Sequence, residues 1–324
     1  MLVINMVLVH SANMTLAEGD PLRYFIFPIL FGFGSGAWIF ISGFLIGSRY
    51  QAGFERDVRG TTGRLISRGL RILGIFLAVN LLMGKIDFDC TAGVFSGGCQ
   101  PWNLLVLGQN QGMTFEILQG IAYVLITAPL FMATPRPATI GILLLVVVAT
   151  IAHLLGSHSL GLSWMLLVGL TGLVMGWHVP IPLLHRVTNE TDTRAMAFFL
   201  GVVLWLLFEV ITFMRVEHDF IVGIYLVGIF GALMAMYAVS CAIPWSGIAA
   251  RNMDRMAHYA LAAYIGQMGI LWIWHSFTEG NALLHSYPVT VVVVFVLMLV
   301  ALSVLERLRR RVRLVDRAYR GVFG

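Results

Sequence analysis

Residues 288–311 read PVTVVVVFVLMLVALSVLERLRRR. No charge interrupts the run from Pro288 to Leu305, and arginines then crowd in at Arg307, Arg309, Arg310 and Arg311. A hydrocarbon core about 30 Å thick takes roughly 20 apolar helical residues to cross. A helix also satisfies its own backbone donors and acceptors, which lipid cannot do. The stretch predicts a membrane-spanning α-helix whose arginine-rich end faces the cytoplasm.

Working outward, comparable runs occur at 22–47, 65–83, 116–133, 138–156, 159–178, 195–214, 219–243 and 259–278. The apolar segment 2–9 reads as the tail of one more helix. The expectation is an all-α, polytopic membrane bundle of about ten transmembrane helices, forming a single membrane-embedded domain over residues 1–324. Composition points the same way, with 59% hydrophobic residues, 11% charged and a mean hydropathy of +0.87. A soluble domain carries about a quarter charged residues, so a soluble enzyme, a disordered chain and a collagen-like chain are excluded. No basic leader precedes Leu2 and no small-residue cleavage site is evident, which argues against a signal peptide.

The net charge of +5 comes from arginines gathered in blocks between apolar runs. That arrangement reads as topology and not as a nucleic-acid surface. Arg49, Arg56, Arg59, Arg64, Arg68 and Arg71 precede or enter the third span, and Arg307, Arg309, Arg310, Arg311, Arg313, Arg317 and Arg320 follow the last. Ten spans put both blocks on one side, which predicts a multi-pass protein of the cytoplasmic (inner) membrane with both termini inside. The longest external loop is then 84–114, holding Cys90 and Cys99, and the residues leave a disulfide and two free thiols equally open. Cys241 falls inside a span and reads as a small packing residue. The 34 glycines scatter through the spans, where close helix packing accounts for them.

Ionisable groups at bilayer depth are costly, so they mark candidate sites. His10, Glu116, His153, Glu209 and His275 fall near the outer halves of their predicted helices, a pattern that suggests a polar pocket opening outward. Any one of them could equally be a satisfied interhelical hydrogen bond or an interfacial residue. Glu209, in WLLFEVITF, has apolar neighbours on both sides. Arg64, Arg68 and Arg71 are spaced i, i+4, i+7, which stacks three guanidiniums on one helical face. Such a face suits phosphate oxygens, although arginines at a cytoplasmic helix end also serve as topology anchors that reach lipid phosphates. The C-terminal cluster LERLRRRVRLVDR reads as an anchor and a lipid-surface contact. HExxH, paired CxxC, Walker and GxSxG motifs are missing from the sequence, so metal, nucleotide-hydrolysis and serine-hydrolase readings have no support.

Five short stretches carry a resemblance. GSGAWIFISGFLIGSRY (34–50) resembles the "FFxLSGFLI" second-helix signature of the membrane acyltransferase superfamily, which includes type-3 acyltransferases and heparan-α-glucosaminide N-acetyltransferase-like proteins. INMVLVHSANM (4–14) places His10 where that superfamily has a histidine ending its first helix, and RLISRGLRILGIF (64–76) is similar to its arginine-pair segment at Arg68 and Arg71. FEILQGIAYVL (115–125) and ALAAYIGQMGILWIWH (260–275) resemble two later helices, the second matching at Tyr264. Gln267 stands at that helix's histidine position and Gly74 at the proline after the arginines.

The resemblance implies an enzyme that moves an acyl group, acetyl above all, from cytoplasmic acyl-CoA to a hydroxyl or amine of an extracytoplasmic saccharide or similar acceptor. Such an activity belongs to glycan modification in the cell envelope. Acyl-CoA would be the co-substrate, with no metal. Arg64, Arg68, Arg71 and Tyr264 would hold it, His10 would be the catalytic base or transient acyl carrier, and Glu116 or Glu209 would orient that base. Expected partners are the bilayer, acyl-CoA and the acceptor, with no nucleic acid. The rival readings are a transporter or flippase and a non-catalytic relative.

Overall fold

The computed structural model describes residues 2–17, 20–26, 32–82, 115–154, 161–179, 186–213, 222–243, 246–278 and 280–323. Cys90, Cys99 and the predicted 84–114 loop lie outside the described residues, as does the side chain of His153. Among the described residues the chain is helical and forms no strand. In order come α1 (Leu2–Thr15), α2 (Pro21–Ile26), α3 (Gly32–Arg56), α4 (Val58–Leu82), α5 (Glu116–Met132), α6 (Pro135–Leu154) and α7 (Gly161–His178). There follow α8 (Thr191–Phe213), α9 (Val222–Ala242), α10 (Gly247–His258), α11 (Ala260–Thr278), α12 (Tyr287–Arg311) and α13 (Arg313–Phe323).

Four helices are long and apolar enough to cross a membrane: α4, α8 over Thr191–Ile211, α9 over Gly223–Ala242, and α12. Shorter apolar helices run over Leu2–Thr15, Glu116–Met132, Pro135–Ile151 and Trp164–His178. The surfaces match an apolar surrounding. In α12 only Thr290, Val294, Met298 and Leu302 are buried, a stripe with a four-residue repeat. The rest of its circumference presents valine and leucine, with Val292 62% exposed and Val300 52%. In α8 the outward residues include Met196, Phe199, Leu200, Val203, Leu206, Leu207 and Val210. Water would penalise both faces, and lipid does not. Hydroxyls within these helices turn back on the preceding turn: Ser42 donates to the Trp38 carbonyl (2.8 Å), Thr150 to Val146 (2.7 Å) and Ser303 to Leu299 (2.7 Å).

The contacts group the chain into two units, residues 1–34 with 235–324 and residues 35–234. In the second unit α4 lies along α5. Its buried stripe is Thr61, Leu65, Gly69, Ile72, Phe76 and Asn80, and the Asn80 amide donates to the Phe76 carbonyl at 2.9 Å. Helix α5 also packs on α6 and α7. Helices α3 and α7 approach through glycine, Gly43 facing the backbone of Gly169 and Gly172 facing the backbone of Phe40.

In the first unit α1 packs on α11 and α12, and α12 also touches α10 and α13. Glu306 binds Arg255 (2.6 Å) and Arg310, fastening α10 to α12. At the chain's far end, Nε and Nη2 of Arg309 both donate to Oδ1 of Asp316 at 3.1 and 2.8 Å, while Arg320 takes Oδ2. The Arg309 guanidinium also stands 3.9 Å from the Tyr319 ring centroid and 5.3 Å from that of Tyr259. Hydrogen bonds from Arg320 and Arg309 hold the Asp316 carboxyl below its ordinary range. A depressed carboxylate adds stability above its unfolded pKa and loses it as pH falls through the folded value. The protection of α13 amides, taken relative to their intrinsic exchange at each pH, is therefore expected to stay unchanged from neutral pH to about pH 5, above the range of a free aspartate, and to fall only in stronger acid.

Two boundaries differ from expectation. The spans read from the sequence leave the arginine-rich stretch before residue 65 as a loop, yet it is helical up to Arg56 and again from Val58. Arginine is a good helix former. The break falls at Asp57, whose carboxylate accepts from the Gly60 amide (2.8 Å) in the manner of an N-cap. The stretch 244–258, also outside the predicted spans, contains the amphipathic helix α10.

Candidate functional site

Helix α1 carries Asn5, His10 and Ser11; Asn5 and Ser11 are buried and His10 is half-buried. His10 meets Tyr264 edge to face, ring centroids 6.3 Å apart and planes at 78°. The two residues are 254 positions apart in sequence, and the packing of α1 on α11 brings them together. Tyr264 is the fifth residue of α11 and is 5% exposed. Gln267 lies three residues further on, on the same helical face, and is 1% exposed. Both polar atoms of its amide are buried with no hydrogen-bond partner among the described residues, and so is the hydroxyl of Ser11. An unsatisfied buried amide costs about 1–3 kcal/mol, and such a group asks for a functional reason. The imidazole from α1 and the phenol and carboxamide on successive turns of α11 can accept a proton, donate one and orient a polar reactant.

His275 lies eleven residues beyond Tyr264, about 16 Å along the helix axis at 1.5 Å per residue. It stands beside His285, ring centroids 4.7 Å apart, and Nδ1 of His285 is 3.2 Å from the Thr278 hydroxyl. His10 and His275 thus sit at separate levels of α11, and the first unit holds two polar places where the sequence suggested one. His285 and Thr278 were not singled out in the sequence: His285 follows the predicted span 259–278, and Thr278 closes that span as a neutral hydroxyl.

In the second unit Glu116 opens α5, where the helix N-terminus favours an anion. It is hydrogen-bonded to Ser35 and within electrostatic reach of Tyr225, whose hydroxyl is bound to the Gly36 backbone. Trp164 and Phe208 pack edge-on against the Tyr225 ring at 5.7 and 5.9 Å. The preceding residue, Phe115, adopts φ 60° and ψ 32°. A non-glycine residue there costs roughly 1–2 kcal/mol, a strain of the kind that collects at functional positions. Glu209 has different company: it accepts from Nε1 of Trp205 at 3.1 Å on its own helix and is half-buried. The structure therefore brings His10 to Tyr264, Glu116 to Ser35 and Tyr225, and Glu209 to Trp205. Ser35 and Tyr225 were missed. The only signal was a polar residue inside an apolar run, and neutral hydroxyls are common there.

No family model, no curated protein and no solved structure matches this chain.

Arg64, Arg68 and Arg71 stand on α4 as their spacing predicted, beside the stripe buried against α5. Arg64 and Arg71 are exposed and Arg68 is half-buried. Arg64 donates to the buried Thr61 hydroxyl (2.9 Å) and Arg71 to Ser67 (3.2 Å), bonds that aim two of the guanidiniums. Among the described residues neither Arg64 nor Arg68 forms an ion pair with a carboxylate. The face can take a polyanion. Among the described residues no group of three or more His, Cys, Asp or Glu could hold a metal ion.

Proposed function

We propose that this chain is an acyl-CoA-dependent membrane acyltransferase of about ten spans, with both termini in the cytoplasm. The observation that carries the reading is the contact between His10 and Tyr264. One belongs to the stretch assigned the base, the other to the stretch assigned the acyl donor, and a transfer site needs those two together. Gln267, buried on the same face without partners, supplies an amide to align the acceptor.

In the proposed step the His10 imidazole takes the proton from an acceptor hydroxyl or amine as its oxygen or nitrogen attacks the thioester carbonyl carbon. The new C–O or C–N bond replaces the C–S bond. The coenzyme leaves as thiolate and recovers the proton from the imidazolium, which restores the base. Arg64, Arg68 and Arg71 hold the phosphates of the donor. The acceptor is a saccharide or similar envelope molecule, and the membrane is the cytoplasmic one. Glu116, bonded to Ser35, and Glu209, bonded to Trp205 on its own helix, are each held within the second unit.

The test is purified protein in nanodiscs with labelled acetyl-CoA and hexosamine acceptors. Label on the acceptor with stoichiometric release of coenzyme thiol supports the proposal. In proteoliposomes, uptake without coenzyme consumption would make the chain a transporter. Arg68→Ala with Arg71→Ala removes charge-assisted hydrogen bonds worth about 1.5–3 kcal/mol each. The double variant should raise the KM for acetyl-CoA at least roughly tenfold while kcat changes little. An unchanged KM would return these arginines to anchoring.

A further inference from the structure

Independently of that reading, the C-terminal end of the first unit has an excess of cations that its own carboxylates cannot match. Glu306 is committed to Arg255 and Arg310, and Asp316 to Arg309 and Arg320. Arg307, Arg311, Arg313 and Arg317 remain, all exposed and without a carboxylate among the described residues. Apolar side chains are exposed among them: Leu314 is 74% exposed, Leu308 43% and Val312 41%.

Helix α13 divides these properties by face. At 100° per residue Arg313, Arg317 and Arg320 share one side, whereas Leu314, Val315, Ala318 and Tyr319 lie on the other. The Arg309–Asp316 bond and the stacking of Arg309 on Tyr319 and Tyr259 tie this helix back to the end of α12 and to the α10–α11 junction. Tyr259 and Tyr319 also meet directly, ring centroids 5.4 Å apart. The helix is thus held in place with one cationic side and one incompletely covered apolar side. A free phosphate or a nucleic acid would use the guanidiniums and leave Leu314 and Val312 in water. A headgroup layer above acyl chains uses both.

We infer that α13 and the adjoining arginines form a docked interfacial platform that binds anionic phospholipid headgroups. Its location follows from α12, whose apolar run ends at Leu305 and delivers the chain to the membrane surface at Arg307. The Arg309 knot fixes the helix, and the four unmatched arginines meet the lipid phosphates.

Hydrogen exchange on the full chain in nanodiscs tests this. One disc is phosphatidylcholine alone, and the other is an equal mixture with phosphatidylglycerol. Amides of residues 313–323 should exchange at least about tenfold more slowly in the anionic disc, because arginines beside an anionic surface are drawn to it. The difference should shrink in high salt. Replacing Arg307, Arg311, Arg313 and Arg317 by glutamine leaves the Arg309 knot intact and should abolish the lipid dependence, with exchange in the phosphatidylcholine disc unchanged. Equal exchange in the two wild-type discs, or a lipid dependence that survives the fourfold variant, overturns the inference. Protection by inorganic phosphate in the phosphatidylcholine disc would overturn the assignment to lipid. Acyl transfer enters none of these readouts.

Discussion

His10→Ala is expected to lower the rate of acyl transfer by roughly 10²- to 10⁴-fold, the usual contribution of a positioned general base, with the KM for acetyl-CoA left near its starting value. The split between the two constants is the informative part. The arginines on α4 are proposed to carry the donor's phosphates, so most donor binding should survive while the proton transfer does not. A merely structural histidine predicts something else. Loss of its edge contact with Tyr264 costs about 0.5–1.5 kcal/mol beyond the buried area, which would lower the unfolding temperature without removing turnover of the folded fraction. Single-turnover release of coenzyme thiol, alongside thermal unfolding of the same preparation, separates the two. If His10→Ala retains full transfer, the base assignment is gone.

The membrane-facing architecture was legible because lipid leaves so few choices. A run such as 288–306 can only be a helix, and α12 is found at Tyr287–Arg311, within a few residues of that reading at its start. Charge blocks were less legible. Arginines mark which side of a membrane a segment prefers without ending a helix, being good helix formers themselves, so α3 and α4 run through the expected loop and part only at Asp57. The candidate site divides in the same way. The stacking of Arg64, Arg68 and Arg71 follows from helical spacing alone. The meeting of His10 with Tyr264 does not, since periodicity cannot pair residue 10 with residue 264, and only the ordered signature stretches pointed to both. Nor could it reveal that His275 belongs to a different place, beside His285. Glu116 was visible as a charge inside an apolar run, while the partners that define its surroundings, Ser35 and Tyr225, carried no charge to draw attention.

Gly172→Ala is expected to destabilise the folded protein by about 1–3 kcal/mol or more, and Gly43→Ala by a similar amount. Both glycines lie where α3 and α7 touch backbone to backbone. A Cβ on Gly172 would strike the carbonyl oxygen of Phe40, and one on Gly43 the carbonyl oxygen of Gly169. Neither obstacle can rotate away as a side-chain tip could, so the helices must separate. Gly47 and Gly176 extend the same seam, facing the backbones of Leu173 and Phe44, and separation at one point loosens all of it. The control is Gly74 on α4, where an alanine methyl would meet nothing within 4 Å. There the change to alanine should stabilise by about 0.5–1 kcal/mol, because alanine is the better helix former. The same added methyl is thus expected to act with opposite sign at two helical glycines, and local helix propensity alone cannot produce that. Thermal unfolding in detergent measures both. A Gly172→Ala protein as stable as wild type would mean that α3 and α7 do not meet at this seam.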